Sequence, residues 1–244
     1  MSSVPVFQTA RRAEVHSRDP WSPFAYVSRQ LEQVTGLLIA DALPSAGGRV
    51  LDFGCAASPY RQLLSDTTTY VGADLPGNPA ATVEVRPDGT VPLDDCSFDV
   101  VLSTQVLEHV AEPKVYLREC LRLLRPTGSL VLTTHGIMYY HPDPRDYWRW
   151  TCEGLTKVIT DEGFAIAEMK GVMGLGAAAL QLLQEDLIGR VPARLRRPLA
   201  GATQKLIGVI DRRYTEERRL HNALVLAVRA VKQGPGDETG SHAG

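Results

Sequence analysis

With 244 residues and 44% hydrophobic content, the chain can bury a substantial core, and its length suits one large α/β domain with additions better than two ordinary domains. A formal net charge of −2 gives no general attraction to polyanions, so a nucleic-acid partner is disfavoured. Cys55, Cys96, Cys120 and Cys152 form no CxxC pair, which argues against a zinc knuckle or a compact disulfide framework, and no metal is expected.

No apolar run reaches the roughly 18 residues of a membrane span, and Met1 to Arg12 lacks the apolar core of a secretory signal. A soluble, cytoplasmic protein with reduced thiols is the expectation. Residues 1–46 read as an N-terminal extension and helix, in which Trp21, Phe24, Val27, Leu31, Val34, Leu37 and Leu38 recur near helical spacing. Short β-rich runs then alternate with helical patterns: Arg49 to Phe53, Thr69 to Ala73, Thr82 to Val85, Phe98 to Ser103 and Ser129 to Thr134. That alternation predicts a parallel sheet with crossover helices.

The clearest crossover helix follows Glu112-Pro113, buries Tyr116, Leu117, Cys120, Leu121 and Leu124, and is expected to end at Pro126-Thr127-Gly128. A second begins after Thr151 and stops at Gly163, ahead of a strand from Phe164 to Met169. Ala177 to Ile188 and Leu199 to Arg213 read as two helices of an insert, about residues 175–220, before a last strand at Ala223 to Val231. The main domain is thus expected over 47–232, followed by a disordered tail at 233–244. The arginines of the insert, Arg190, Arg194, Arg196, Arg197, Arg212, Arg213, Arg218 and Arg219, read as a solvated helical face paired with Glu216 and Glu217.

Val50-Leu51-Asp52-Phe53-Gly54-Cys55 is a buried strand breaking into a small-residue turn, which lets a ligand approach the backbone. Asp74 ends the next strand, twenty residues beyond Gly54, at a spacing that suits a carboxylate accepting from a ribose diol. A dinucleotide would need further glycines against its pyrophosphate, but Ala56, Ala57 and Ser58 stand there instead. Asp88, before Gly89, is placed to accept from an exocyclic adenine amine. These features describe an adenosine site without a diphosphate.

On these residues the chain resembles the class I S-adenosylmethionine-dependent methyltransferases with the pattern "LDxGCGxG", "GxD" and "LPxxDxSFDxVxxxxVLEHV". The matching text is Leu51 to Cys55, Gly72-Ala73-Asp74, Val91 to Val101 and Val106 to Val110. The resemblance implies a Rossmann-like, doubly wound, mostly parallel seven-stranded sheet with an antiparallel last strand. It implies S-adenosyl-L-methionine as cofactor, with methionine near Asp52, Gly54, Cys55 and Ala56, ribose on Asp74 beside Leu75, and adenine by Asp88 and Gly89. Ser103, Thr104 and Gln105 would stand near the sulfonium and the acceptor. Ala56 and Ser58 replace the family's usual glycines, and Ala56 is readily accommodated if its φ is negative.

The fifth strand leads into His135 to Thr151, a long aromatic loop of the kind that forms a lid or substrate wall. The acceptor pocket is expected there, with His135 as the preferred general base and His141 and Asp146 as alternatives. Tyr139, Tyr140, Tyr147, Trp148 and Trp150 either stack on the acceptor or pack the loop, and Arg149 either binds an anion or braces the loop. Transfer of a methyl group to a hydroxyl or amine of a small molecule, such as a sugar or another biosynthetic intermediate, is the favoured function. An RNA or protein methyltransferase and a nucleoside-binding module without catalysis are the alternatives, and a homodimer is left open.

Overall fold

A computed structural model describes residues 19–44 and 47–233. The extension before residue 19 and the expected disorder from 234 onward lie outside the described residues. In chain order the elements are helix α1 (Ala25–Ala42), strands β1 (Arg49–Phe53), β2 (Thr69–Asp74), β3 (Val83–Glu84) and β4 (Phe98–Thr104), helix α2 (Pro113–Leu123), strand β5 (Leu124–His135), helix α3 (Cys152–Asp161), strand β6 (Phe164–Val172), helices α4 (Leu175–Ile188), α5 (Ala193–Asp211) and α6 (Glu216–His221), and strand β7 (Val225–Lys232).

The strands form one seven-stranded sheet in the order β3-β2-β1-β4-β5-β7-β6. Strand β7 runs antiparallel to both β5 and β6, and the other pairings are parallel, as the resemblance implies. Strand order reverses between β1 and β4, which pair through Val50↔Val100 and Asp52↔Leu102, and this is where an open α/β sheet leaves a crevice at its carboxyl edge.

Central strands are apolar on both sides because helices cover both faces. On one face, Tyr116, Leu117 and Cys120 of α2 and Leu155 and Ile159 of α3 pack on Leu51, Val101, Leu130 and Leu132. On the other, Leu38 and Ile39 of α1 cover Val50, Val100, Leu102 and Val131. Helix α2 starts with Pro113 in its first turn, and the Thr151 side chain caps α3 by accepting the Gly154 N–H at 3.0 Å.

Three sequence expectations shift. Helix α2 ends at Leu123, and Leu124 to Gly128 belong to β5, entering it through an irregular register against Phe98 and Val100. Proline lacks the donor that a regular ladder needs, so Pro126 falls in that irregular stretch. Leu37 faces water, while Trp21 lies ahead of α1 with its ring on Gly201 of α5. The insert's arginines are not paired with Glu216 and Glu217 among the described residues. Those acids occupy the first turn of α6, where the exposed amide ends of a helix favour negative charge.

The helical segment is joined to α1 through a buried polar junction. Gln181, Gln184 and Gln204 all donate to the Pro23 carbonyl, at 2.9, 2.8 and 2.7 Å, and Gln204 Oε1 accepts the Tyr26 N–H at 2.8 Å. That last bond satisfies one of the amides left open at a helix start. Nearby, buried Asp211 accepts from Tyr26 Oη at 2.9 Å and from the Gly174 N–H at 2.8 Å.

Candidate active site

A cavity of about 550 Å³ opens along the carboxyl edge of the central strands. Its wall brings together Gly54, Ala56, Asp74, Leu75, Asp88, Gly89, Thr104 and Gln105 with His135 and His141, so both halves of the expected site share one space. Asp52, Cys55, Ser103 and Asp146 do not line it.

At the end of β1 the backbone itself is the wall. Gly54 has φ +90°, and a Cβ there would come within 2.4 Å of Val106 Cγ2, so conformation and space both require glycine. Ala56 and Ser58 are left-handed too, at φ +48° and +55°. The negative φ that would ease Ala56 is not adopted, and a left-handed L residue costs roughly 1–2 kcal/mol.

Side chains hold this turn in place. Asp74 Oδ2 accepts the Ala56 N–H at 2.8 Å and Asn78 Nδ2–H at 2.7 Å, and Asn78 Nδ2 also donates to the Ala56 carbonyl at 2.7 Å. Asp74 Oδ1 accepts the Leu75 N–H at 2.7 Å. The acid expected to face a ribose is therefore also the clasp of the turn.

Behind the turn, Asp52 is fully buried, with Oδ2 accepting from Tyr70 Oη at 2.8 Å and Oδ1 without a partner among the described residues. Burial pushes its pKa up to about 7 against the opposing Tyr70 hydrogen bond. Cys55 points to Gly72 and Asn78, and burial pushes its thiol up to about 12, while Ser103 accepts from Tyr116 Oη at 2.8 Å. Asp88 uses Oδ1 to accept from the Thr90 N–H and hydroxyl, so it shapes the Gly89 turn at the cavity rim.

Where the acceptor is expected, three imidazoles gather. His135 and His141 lie 5.9 Å apart between ring centroids, and His109 is 6.4 Å from His135 and 5.9 Å from His141. His135 is 5% exposed, and its Nδ1 stands 3.3 Å from Glu108 Oε1, out of line for a hydrogen bond. Glu108 Oε2 accepts from the Thr134 hydroxyl at 2.8 Å. Burial drives both groups toward their uncharged forms: Glu108 rises to about 7, while His135 falls well below the usual imidazole range, helped by the Arg149 charge. The contact is therefore between a neutral ring and a carboxyl that titrates near neutrality.

Asp146 is set apart from the cavity. Its two oxygens accept a two-pronged contact from Arg149 at 2.6 Å each, and Oδ2 also accepts the His141 N–H at 2.5 Å. Burial opposes ionisation of Asp146, but the Arg149 fork outweighs it and holds the carboxyl below its usual range. Arg149 also donates to the Met138, Tyr139 and Trp148 carbonyls, which makes it the brace of the loop. Among the aromatics, Tyr139 and Tyr147 reach the cavity wall, whereas Trp148 and Trp150 stack on each other at 5.7 Å.

Asn78 carries no sequence signal, and Glu108 and His109 are legible in the sequence only as part of the Val106 to Val110 family pattern. The Glu-His pair inside Val106 to Val110 was the available signal, but only the fold shows that the chain segment after β4 faces the end of β5.

A methyltransferase-domain family model matches residues 26–165, more than half of the chain. The chain belongs to the S-adenosylmethionine-dependent methyltransferases. It is 29% identical over 174 residues, 64% of this chain and 67% of the relative, to a probable S-adenosylmethionine-dependent methyltransferase of Mycolicibacterium smegmatis. It is 33% identical over 127 residues to a ubiquinone biosynthesis O-methyltransferase of Cereibacter sphaeroides, covering 45% of this chain and 50% of that one. The chain thus matches about half the length of that relative.

Two solved structures share the fold. The 1,6-didemethyltoxoflavin-N1-methyltransferase of Burkholderia thailandensis superposes with a TM-score of 0.54 at 18% identity, over 91% of this chain and 85% of that one. The [4+2]-cyclase SpnF superposes at 0.55 with 20% identity, over 83% and 81%. A cyclase and a methyltransferase on one scaffold mean that the reaction must be argued from the site.

Proposed function

We propose that this chain methylates a hydroxyl group of a small, largely apolar acceptor, with His135 as general base. The observation that carries the reading is His135 on the wall of the same cavity as the Gly54 turn, with the buried carboxyl of Glu108 3.3 Å behind its Nδ1. An imidazole with a carboxyl behind it is the group a hydroxyl acceptor needs, because a hydroxyl must lose a proton, whereas an amine need only arrive neutral.

The residues present fit S-adenosylmethionine. Asp74 would accept from the ribose hydroxyls, and the Asp88-Gly89 turn would border the adenine. Gly54 and Ala56 would flank the methionine, and Asp52 lies buried behind that turn, its Oδ1 without a partner among the described residues. Bound there, the cofactor supplies a methyl carbon already activated by its sulfonium leaving group. Thr104 and Gln105 would border the reacting centre, Gln105 being fixed by its N–H to the Thr133 carbonyl at 2.8 Å.

Met138, Tyr139, Tyr147 and Val110 would exclude water and align the acceptor, which is most of what an in-line displacement requires. Glu108 Oε1, 3.3 Å from Nδ1, would orient His135 once the two groups come into line. The other ring nitrogen, Nε2, would take the hydroxyl proton as the acceptor oxygen takes the methyl group. A labelled-methyl assay against phenol, sugar, amine and RNA pools tests the reading. His135→Ala is expected to lower turnover of the labelled hydroxyl compound by about 10²-fold or more with cofactor affinity nearly unchanged. Label in amine or RNA pools alone, or unaltered turnover, overturns it.

A further inference from the structure

The outward sides of α4 and α5 are apolar where water-facing helices are ordinarily polar. On α5, Leu195, Leu199, Leu206 and Val209 recur at helical spacing on the side opposite buried Ala200, Gln204, Ile207 and Asp211. On α4, Leu183 and Leu187 stand opposite buried Ala177, Gln181 and Gln184. These six side chains keep between 41% and 53% of their surface in water, a patch that ordinarily marks an interaction site. None of them lines the large cavity.

Charge says what the face meets. Residues 175–213 carry seven cations and three acids, in a chain whose net charge is −2. Of those acids, Asp211 is buried and Asp186 is paired with Arg190 at 2.6 Å. Arg196 donates to the Gly189 and Val191 carbonyls, and Arg197 pairs with Asp19 at 3.0 Å. Arg194, Lys205 and Arg212 follow one edge of the α5 stripe, Arg213 stands at its end, and none of the four has an acidic partner among the described residues.

We infer that this face docks on an anionic lipid surface, the leucines entering the boundary between headgroups and acyl chains and the flanking cations meeting lipid phosphates. Arginine and lysine suit that position because their stems follow the apolar stripe while their heads stay at the phosphates. A second copy of the chain would set one cationic rim against another, so charge opposes self-association through this face. The inference is independent of the methyl acceptor.

Flotation of the full chain with vesicles tests it. Binding to phosphatidylcholine vesicles doped with phosphatidylglycerol, lost in high salt and weak on phosphatidylcholine alone, is the expected result. The double variant Leu199→Asn, Leu206→Asn should bind at least about 100-fold more weakly, as expected for losing two buried leucines. Arg194→Gln with Arg212→Gln should weaken binding about 30-fold, equivalent to about 1 kcal/mol for each cation at the surface. A thermal melt at the wild-type temperature qualifies each variant, and the arginine pair alone decides if the leucine pair does not fold. No flotation, equal partition onto neutral vesicles, unchanged binding of qualified variants, or a wild-type dimer that the leucine pair splits overturns the inference.

Discussion

The two halves of the cavity are built by opposite means. At the ends of β1 and β2 the site is made of backbone, with Gly54, Ala56 and Ser58 all left-handed and Ala56 clasped by Asp74 and Asn78. Beyond β5 it is made of side chains, with Glu108 and His135 buried and uncomfortable as ions, inside a loop braced by Arg149 and Asp146. A backbone wall suits a ligand that never changes, whereas a side-chain wall can be altered one residue at a time without disturbing the sheet. The contrast teaches where the cavity wall is free to vary: in the loop after β5, with the turn after β1 held constant.

The contrast can be broken most severely at Gly54. Gly54→Ala adds a Cβ against Val106 in a left-handed position, and cofactor affinity measured by titration calorimetry is expected to fall about 100-fold or more. A normal affinity would show that the turn is not the cofactor wall. In the other half, Arg149→Met leaves Asp146 buried without its cation. Urea unfolding should show a loss of about 2–3 kcal/mol, below the range for a fully buried pair because Arg149 is partly exposed.

Each half also hides one carboxyl with a pKa near 7, and this similarity sharpens the comparison. The folded-state pKa values of Asp52 and Glu108 lie above their ordinary values, so their stability contribution is fully present at low pH and is lost as pH rises through about 7. Asp52→Asn should therefore gain on the wild type by about 2 kcal/mol between pH 5 and pH 8, read from urea midpoints. Glu108→Gln should show the same gain and also lose a limb near pH 7 from the kcat profile, which Asp52→Asn keeps. Parallel stability profiles would place both carboxyls in contact with water.

The smallest effect is at Ala56. Ala56→Gly relieves a left-handed alanine but adds disorder to the unfolded chain, for a net gain of up to about 1 kcal/mol in unfolding experiments. A loss would mean that the Ala56 methyl group packs favourably at the turn.

Most of the sheet was legible because its strands are short apolar runs between turn residues, and Gly54 and Asp74 announce a nucleoside edge by spacing alone. The antiparallel sense of β7 followed from the family resemblance and not from its residues, and its place between β5 and β6 was not legible. The acceptor side was legible only as a loop. His135 stood out because it ends a strand, but its approach to Glu108 joins segments 27 residues apart and depends on the β4–β5 register, which no local pattern encodes. Asp146 misled for the same reason: a carboxylate near histidines reads as a base until Arg149 is seen to occupy it from three residues away. Asn78 was invisible because its role is to hold backbone atoms that sequence does not place.

The glutamine junction at Pro23 has a consequence for how the molecule opens. The Tyr26 amide ends on Gln204, so α1 and α5 share a hydrogen bond across 178 residues of chain. Apolar surfaces can slide and still touch, but amides need an aligned partner, so separation of these helices should be all-or-none. Amide exchange at Tyr26 would then report detachment of the whole α4–α5 pair, and its protection should match that of the α5 interior and exceed that of exposed turns.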